Sequence, residues 1–267
     1  MTKLPFAKMG FPEVYEEALV RPLFQPWAAL LLDDVGLTNG DRVLDVACGT
    51  GIVARLARER LGEAGKVVGV DLNPQMIAVA RRITARIDWR KGDATALPLR
   101  EKEQFDVVVC QQGLQFIRDK PAAVRQMRVA LDTEGRLAVS TWCSDENFPV
   151  LRELRRIAER HTGAISDTRH GFGEAGPLEA LLRDAGFHDI QSKTLSRTIR
   201  FEDGSVFVRL NAMALVGMST ASTAMSDEER EQVVAAIVSD SAALVRAYTD
   251  VSGFAYEIAA TVATARA

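Results

Sequence analysis

Between Val43 and Ala54 the chain reads Val-Leu-Asp-Val-Ala-Cys-Gly-Thr-Gly-Ile-Val-Ala, and this stretch limits the choice of fold more than any other. A short apolar run that leads into two glycines and then into an amphipathic stretch (residues 52–61) predicts a strand, a tight turn and a helix. Gly49 and Gly51 let the backbone turn sharply and approach a ligand with no side chain in the way. The helix that follows points free backbone amides at the same spot, which suits an anionic or nucleotide-like ligand. A second apolar run, residues 66–70, completes a strand–helix–strand unit, which places the two strands parallel with a right-handed crossover.

The alternation continues down the chain. Residues 74–86 and 121–131 predict helices, and residues 87–90, 105–110 and 136–141 predict strands. Runs of Val and Leu without polar alternation mark strands covered on both faces, so the expected fold class is α/β, with a doubly wound, mostly parallel sheet. Ahead of this core, Leu19, Leu23, Trp27 and Leu31 recur at helical spacing, broken by Pro22 and Pro26. One or two short helices are expected there. Beyond Trp142, helices are predicted at residues 148–160, 176–185, 205–217 and 226–249, the last opened by the capping sequence Ser226-Asp-Glu-Glu229. Residues 189–201 and 255–263 read as further strands. The resulting domain plan is a helical cap over residues 1–40, a cofactor-binding core over 41–142, and a remainder over 143–267. This last part finishes the sheet and inserts helices for a second substrate, all as one integrated domain.

Composition removes several function classes. Lys plus Arg total 33 against 36 Asp plus Glu, a net charge of −3, so no basic surface for nucleic acid is expected. Cys48, Cys110 and Cys143 are widely separated and only three His accompany them, which argues against a disulfide frame and a metal site. The expected metal is none. No apolar run approaches the ~18 residues of a membrane-spanning helix, and none near the first residue has signal length. A cytoplasmic protein without a membrane span is expected.

The ligand is narrowed by acids. Gly49-x-Gly51-x-x-Ala54 with Asp71 twenty residues beyond Gly51 also satisfies the dinucleotide fingerprint, where an acid binds ribose hydroxyls. Asp45, still on the first strand, favours a ligand with a cationic group over a bare pyrophosphate. After the third strand, Gly92-Asp-Ala-Thr95 offers the Asp93 carboxylate to an exocyclic amine such as that of adenine and the Ala94 amide to a ring nitrogen. Asp93 equally suits a turn or a helix cap.

Four segments, Leu-Asp-Val-Ala-Cys-Gly-Thr-Gly, Val-Gly-Val-Asp-Leu-Asn-Pro-Gln-Met, Gly-Asp-Ala-Thr-Ala-Leu-Pro-Leu and Cys-Gln-Gln-Gly-Leu-Gln-Phe, resemble the ordered motifs of class I S-adenosylmethionine-dependent methyltransferases. Within these the chain is most similar to the ubiquinone/menaquinone C-methyltransferase-like branch. The resemblance spans residues 41–142 and implies a Rossmann-like seven-stranded sheet whose last strand, residues 255–263, runs antiparallel, with helical insertions forming a lid. It implies S-adenosylmethionine as cofactor. It places Asp45, Gly49 and Gly51 along the methionine moiety, Asp71 on the ribose, Leu72 and Met76 on the adenine face, and Asp93 and Ala94 on its edge. The backbone carbonyl of Gln111 would meet the ammonium group.

The expected activity is methyl transfer to carbon or oxygen of a small, apolar or aromatic metabolite. Holding donor and acceptor in line supplies most of the acceleration, so a base is optional. If one is used, Tyr15, His161 and His170 are the candidates. The stretch holding Phe207, Met213, Met218 and Met225 fits either a lipophilic pocket or ordinary core. Two other readings are a non-catalytic S-adenosylmethionine-binding protein and an NAD-dependent oxidoreductase. The identity of the acceptor and the oligomeric state are not encoded in these patterns.

Overall fold

A computed structural model describes residues 10–267, so the first nine residues of the expected cap lie outside the described residues. The chain divides into two compact units. The first holds residues up to Trp142, Phe172–Leu195 and Ala260–Ala267, and the second holds Cys143–Gly171 and Ser196–Ala259.

The first unit opens with helical backbone from Phe11 to Asp34: α1 (Phe11–Tyr15), a π-helical segment (Glu16–Phe24) and α2 (Gln25–Asp34). Pro22 and Pro26 do not break it. Pro22 sits inside the wider π turn, whose hydrogen bonds reach five residues back, as from the Gln25 amide to the Val20 carbonyl. Pro26 lies in the first turn of α2, directly after the π segment.

There follow β1 (Arg42–Val46), α3 (Ile52–Leu61), β2 (Lys66–Asp71), α4 (Pro74–Ile83), β3 (Asp88–Lys91), β4 (Phe105–Gln111), α5 (Lys120–Ala130) and β5 (Leu131–Trp142). Later come α6 (Pro149–Thr162), α7 (Ala175–Asp184), β6 (His188–Phe201), α8 (Gly204–Met218), α9 (Asp227–Asp240), α10 (Ala242–Ala247), β7 (Thr249–Asp250) and β8 (Gly253–Arg266). The sheet order is β3-β2-β1-β4-β5-β8-β6, with β7 paired to β8. The strands β3, β2, β1, β4 and β5 are parallel, and β8 is antiparallel to β5. The seven expected strands are thus joined by a two-residue eighth, β7, a hairpin pairing too short to leave a pattern in the sequence.

Alternation along the strands assigns the two sheet faces. Leu44, Val46, Val108, Cys110, Leu137 and Val139 pack with Val124 and Met127 of α5 and Leu178 and Leu182 of α7 in one core. The opposite parity, including Asp45, Val109, Gln111 and Ser140, belongs to the face that also carries Trp142, which packs edge-on against Trp27 of α2. Each fully buried Leu or Val contributes roughly 1.5–3 kcal/mol.

In the second unit, Phe207 is 1% exposed and its ring lies 4.9 Å from Phe254 and 4.6 Å from Tyr256. The ordinary-core reading therefore holds for Phe207, and also for Leu210, Leu215 and Val216, which are buried. The helix expected over residues 226–249 is capped as its sequence implies, by the reciprocal Ser226 and Glu229 bonds, but it divides at Ser241.

Candidate active site at the carboxyl ends of the parallel strands

The first unit gathers Tyr15, Asp45, Gly49, Gly51 and Asp71 around the turn that follows β1. Gly51 adopts φ 89° and caps α3 without a side-chain bond. The cap comes instead from the strand: Asp45 Oδ2 accepts the Ala54 amide at 3.0 Å, placing a carboxylate at the positive end of α3. The other oxygen of Asp45, Oδ1, is buried with no hydrogen-bond partner among the described residues. Asp45 is 1% exposed, and burial, with the nearby Asp71 charge adding to it, pushes its carboxyl up to about 8 against the pull of the Ala54 bond.

Asp71, at the end of β2, closes the other side. Its Oδ2 accepts the Gly49 amide at 2.8 Å and its Oδ1 the Asn73 amide at 2.8 Å. Burial raises its carboxyl above the usual range despite these two bonds. A Cβ on Gly49 would stand 3.8 Å from the Tyr15 hydroxyl, so Tyr15 lies directly over the glycine turn. Burial and the charges of Asp71, Glu16 and Asp45 push the Tyr15 hydroxyl well above its ordinary range. It therefore remains protonated at neutral pH. The thiol of Cys48 is raised for the same reasons, burial first and then Asp45 and Asp71.

Next along the sheet edge, Leu72 is 64% exposed and Met76 is half-buried in the first turn of α4. The Gly92 amide donates to the Asp71 carbonyl at 3.0 Å, which ties the Asp93 segment to the end of β2. Asp93 is exposed, and its Oδ1 is engaged by the Thr95 amide and hydroxyl, both at 2.8 Å, bonds that lower its carboxyl. The turn role anticipated for Asp93 is thus present. Ala94 is buried in the core beneath it.

At the end of β4, Gln111 Nε2 donates to the Phe24 carbonyl at 2.8 Å, fastening the π-helical segment to the sheet. Gln111 Oε1 and its cross-strand neighbour Ser140 Oγ are buried without partners among the described residues, as is Thr50 Oγ1 in the glycine turn. An unpaired buried polar group costs about 1–3 kcal/mol. With Asp45 Oδ1 these groups concentrate at one end of one sheet face, next to the glycine turn.

The two candidate histidines belong to the second unit and have structural partners there. His161 Nε2 lies 3.0 Å from Asp240 Oδ2. His170 is buried, bonds the Cys143 carbonyl through Nδ1 at 2.9 Å, and is held below its ordinary range chiefly by burial.

Two features escaped the sequence reading. Trp89 of β3 covers Gly69 of β2 and reaches Gly51, so that a Cβ at either glycine would overlap its ring. A glycine inside the strand Val67-Val-Gly-Val70 was the available sign of such a close approach. Glu16 pairs with Arg55 of α3 at 2.7 Å, and Arg55 also donates to the Thr50 carbonyl. That pair spans 39 residues and no local pattern announces it. Among the described residues no group of three or more His, Cys, Asp and Glu could hold a metal ion, and no helix is long and apolar enough to cross a membrane.

A family model described as a methyltransferase domain matches residues 37–186. The chain belongs to the class I S-adenosylmethionine-dependent methyltransferases. Over 185 residues this methyltransferase is 31% identical to the ubiquinone/menaquinone biosynthesis C-methyltransferase of Xylella fastidiosa strain M23, an alignment covering 62% of this chain and 73% of that one. Over 189 residues it is 35% identical to the 2-phytyl-1,4-naphtoquinone methyltransferase of Thermosynechococcus vestitus, covering 63% and 82%. These matches place the methyltransferase in the ubiquinone/menaquinone C-methyltransferase-like branch, with S-adenosylmethionine as its cofactor. Its fold is shared with the YcgJ protein of Bacillus subtilis, at TM-score 0.57 and 18% identity over 90% of this chain and 97% of that one.

Proposed function

We propose that this methyltransferase acts on carbon or oxygen of a small, apolar or aromatic acceptor of the quinol type, and that Asp45, Gly49, Gly51, Asp71, Leu72, Met76, Asp93, Ala94 and Gln111 hold its cofactor. The observation that carries the cofactor assignment is the unpaired, buried Oδ1 of Asp45 beside the Gly49 turn. A cationic ammonium there would pair with a carboxylate that otherwise bears its burial alone. A cation there favours the ionised form of Asp45 and has the Asp71 carboxyl beside it, while Glu16 is already paired with Arg55. The bare backbone at Gly49 and Gly51 leaves room for close approach, and the exposed side chain of Leu72 is an apolar surface for a flat ring.

Bound S-adenosylmethionine supplies an electrophilic methyl group on a sulfonium. The chain's own contribution is orientation and exclusion of water. Asp71 fixes the sugar end while bracing Gly49. Tyr15, whose hydroxyl lies over the Gly49 turn, is placed to orient the bound cofactor or acceptor. Neither histidine is assigned a chemical step, since each already has a structural partner. The acceptor class rests on the relatives, whose names refer to quinone methylation.

The test is incubation of the protein with S-adenosylmethionine and a reduced naphthoquinol, followed by mass spectrometry. The expected result is S-adenosylhomocysteine formed in step with a product heavier by one methylene. Binding of S-adenosylhomocysteine without turnover on any quinol or phenol would instead support the non-catalytic reading.

A further inference from the structure

We propose that Gln112 and Gln115 hold the ring oxygens of a neutral, oxygen-bearing aromatic acceptor, an inference that rests on the methyltransferase reading above. Both follow β4, on the far side of β1 from Asp71. Gln112 is 5% exposed and Gln115 4%. In each, both Oε1 and Nε2 are buried with no hydrogen-bond partner among the described residues. Two complete amides are therefore unpaired within four residues, which ordinary packing does not produce.

The backbone shows that the placement is built. Gln112 has φ 51° and Ala47, after β1, has φ 56°, left-handed conformations that non-glycine residues adopt only where the surroundings impose them. The two turns lie against each other, since a Cβ on Gly113 would press on the side chain of Ala47. The Gln112 backbone N–H donates to the Ser140 carbonyl at 2.9 Å. Gln115 sits in a single 3-10 turn, Leu114–Phe116, anchored by buried Leu114. These turns stand where the strand order departs in opposite directions from β1 and β4, the position at which doubly wound sheets bind their ligands.

The chemistry selects the ligand. The β1–β2 side carries Asp45 and Asp71, suited to positive charge. The β4 side presents uncharged amides. An amide both donates and accepts, so it pairs with a ring hydroxyl or a ring carbonyl alike. A carboxylated acceptor would meet the neighbouring acids unfavourably, and a hydrocarbon ring would leave the amides unpaired.

The test titrates S-adenosylhomocysteine-loaded protein with 1-naphthol, 1-methylnaphthalene and 1-naphthoate, for wild type, Gln112→Leu, Gln115→Met and the double variant. Wild type should bind 1-naphthol at least about tenfold more tightly than either control, the ratio expected for one good hydrogen bond to a buried partner. Each variant should lose about that factor for 1-naphthol and keep its affinity for S-adenosylhomocysteine. Melting temperatures should stay level or rise, because an apolar isostere replaces an unpaired amide. Equal binding of 1-naphthol and 1-methylnaphthalene, or no naphthol binding at all, overturns the proposal. So does a loss of S-adenosylhomocysteine affinity, which would assign the amides to the cofactor. Lower melting temperature with unchanged naphthol binding would mean that the amides serve the fold through water. Failure of wild type to bind S-adenosylhomocysteine would instead strike the underlying functional reading.

Discussion

Asp45 joins local structure to ligand chemistry: one oxygen caps α3 and the other is unpaired. Its carboxyl is raised from 3.8 to about 8 in the folded chain. Because the folded state holds the proton more tightly, the stability linked to this group is fully present below about pH 3.8 and is lost as pH rises towards 8. Cofactor-free wild type should therefore lose more melting temperature between pH 6 and pH 9 than Asp45→Asn, followed by differential scanning fluorimetry; parallel curves would contradict the assignment. Affinity for a cationic cofactor should fall by up to about tenfold per pH unit below 8 in wild type, since the charged carboxylate is the binding form. Gly69 gives a second prediction at this scale. Gly69→Ala drives a methyl into the Trp89 ring and should cost about 1–3 kcal/mol in denaturant unfolding, part of it recovered when Trp89→Leu is added. An additive double variant would show that the two residues do not meet.

The helical segment Phe11–Asp34 is held by the Glu16–Arg55 pair, the Gln111–Phe24 bond and the Tyr15–Phe24 ring contact at 4.9 Å. The side chains of Glu16 and Arg55 are 21% and 14% exposed, so their pair is worth more than a surface ion pair and less than a fully buried one. Glu16→Gln should cost about 1–2 kcal/mol and speed amide exchange across residues 11–24, leaving β1 and β4 protected; unchanged exchange would release Glu16 from this role. The elements also show what the sequence can disclose. The strands β1, β2 and β4 were legible because burial on both faces removes polar alternation, and the Gly49–Gly51 turn and the strand-end acids Asp45 and Asp71 were legible because Gly and Asp stand out in apolar runs; Leu72, Met76, Ala94 and Gln111 were proposed only through the family resemblance. Pro22 misled because proline stops an α-helix but fits a π turn. Trp89 and the Glu16–Arg55 pair act across tens of residues, where no periodicity carries information.

At the scale of the molecule, the sheet order β3-β2-β1-β4-β5-β8-β6 puts every acid assigned to the cofactor at the carboxyl ends of β1, β2 and β3, and the uncharged amides at the end of β4. The order reverses direction between β1 and β4, where doubly wound sheets bind their ligands, so topology sets where the site lies and the strand-end side chains set its chemistry. We propose that this edge receives S-adenosylmethionine with Asp45 as its anionic contact. Isothermal titration of wild type and Asp45→Asn with S-adenosylhomocysteine at pH 8, with NADH as control, tests it most directly. Wild type should bind at one site per chain, Asp45→Asn at least about tenfold more weakly as a charge-assisted contact is lost, and NADH should give no heat. Equal affinity in the two proteins, or binding of NADH in place of S-adenosylhomocysteine, would contradict it.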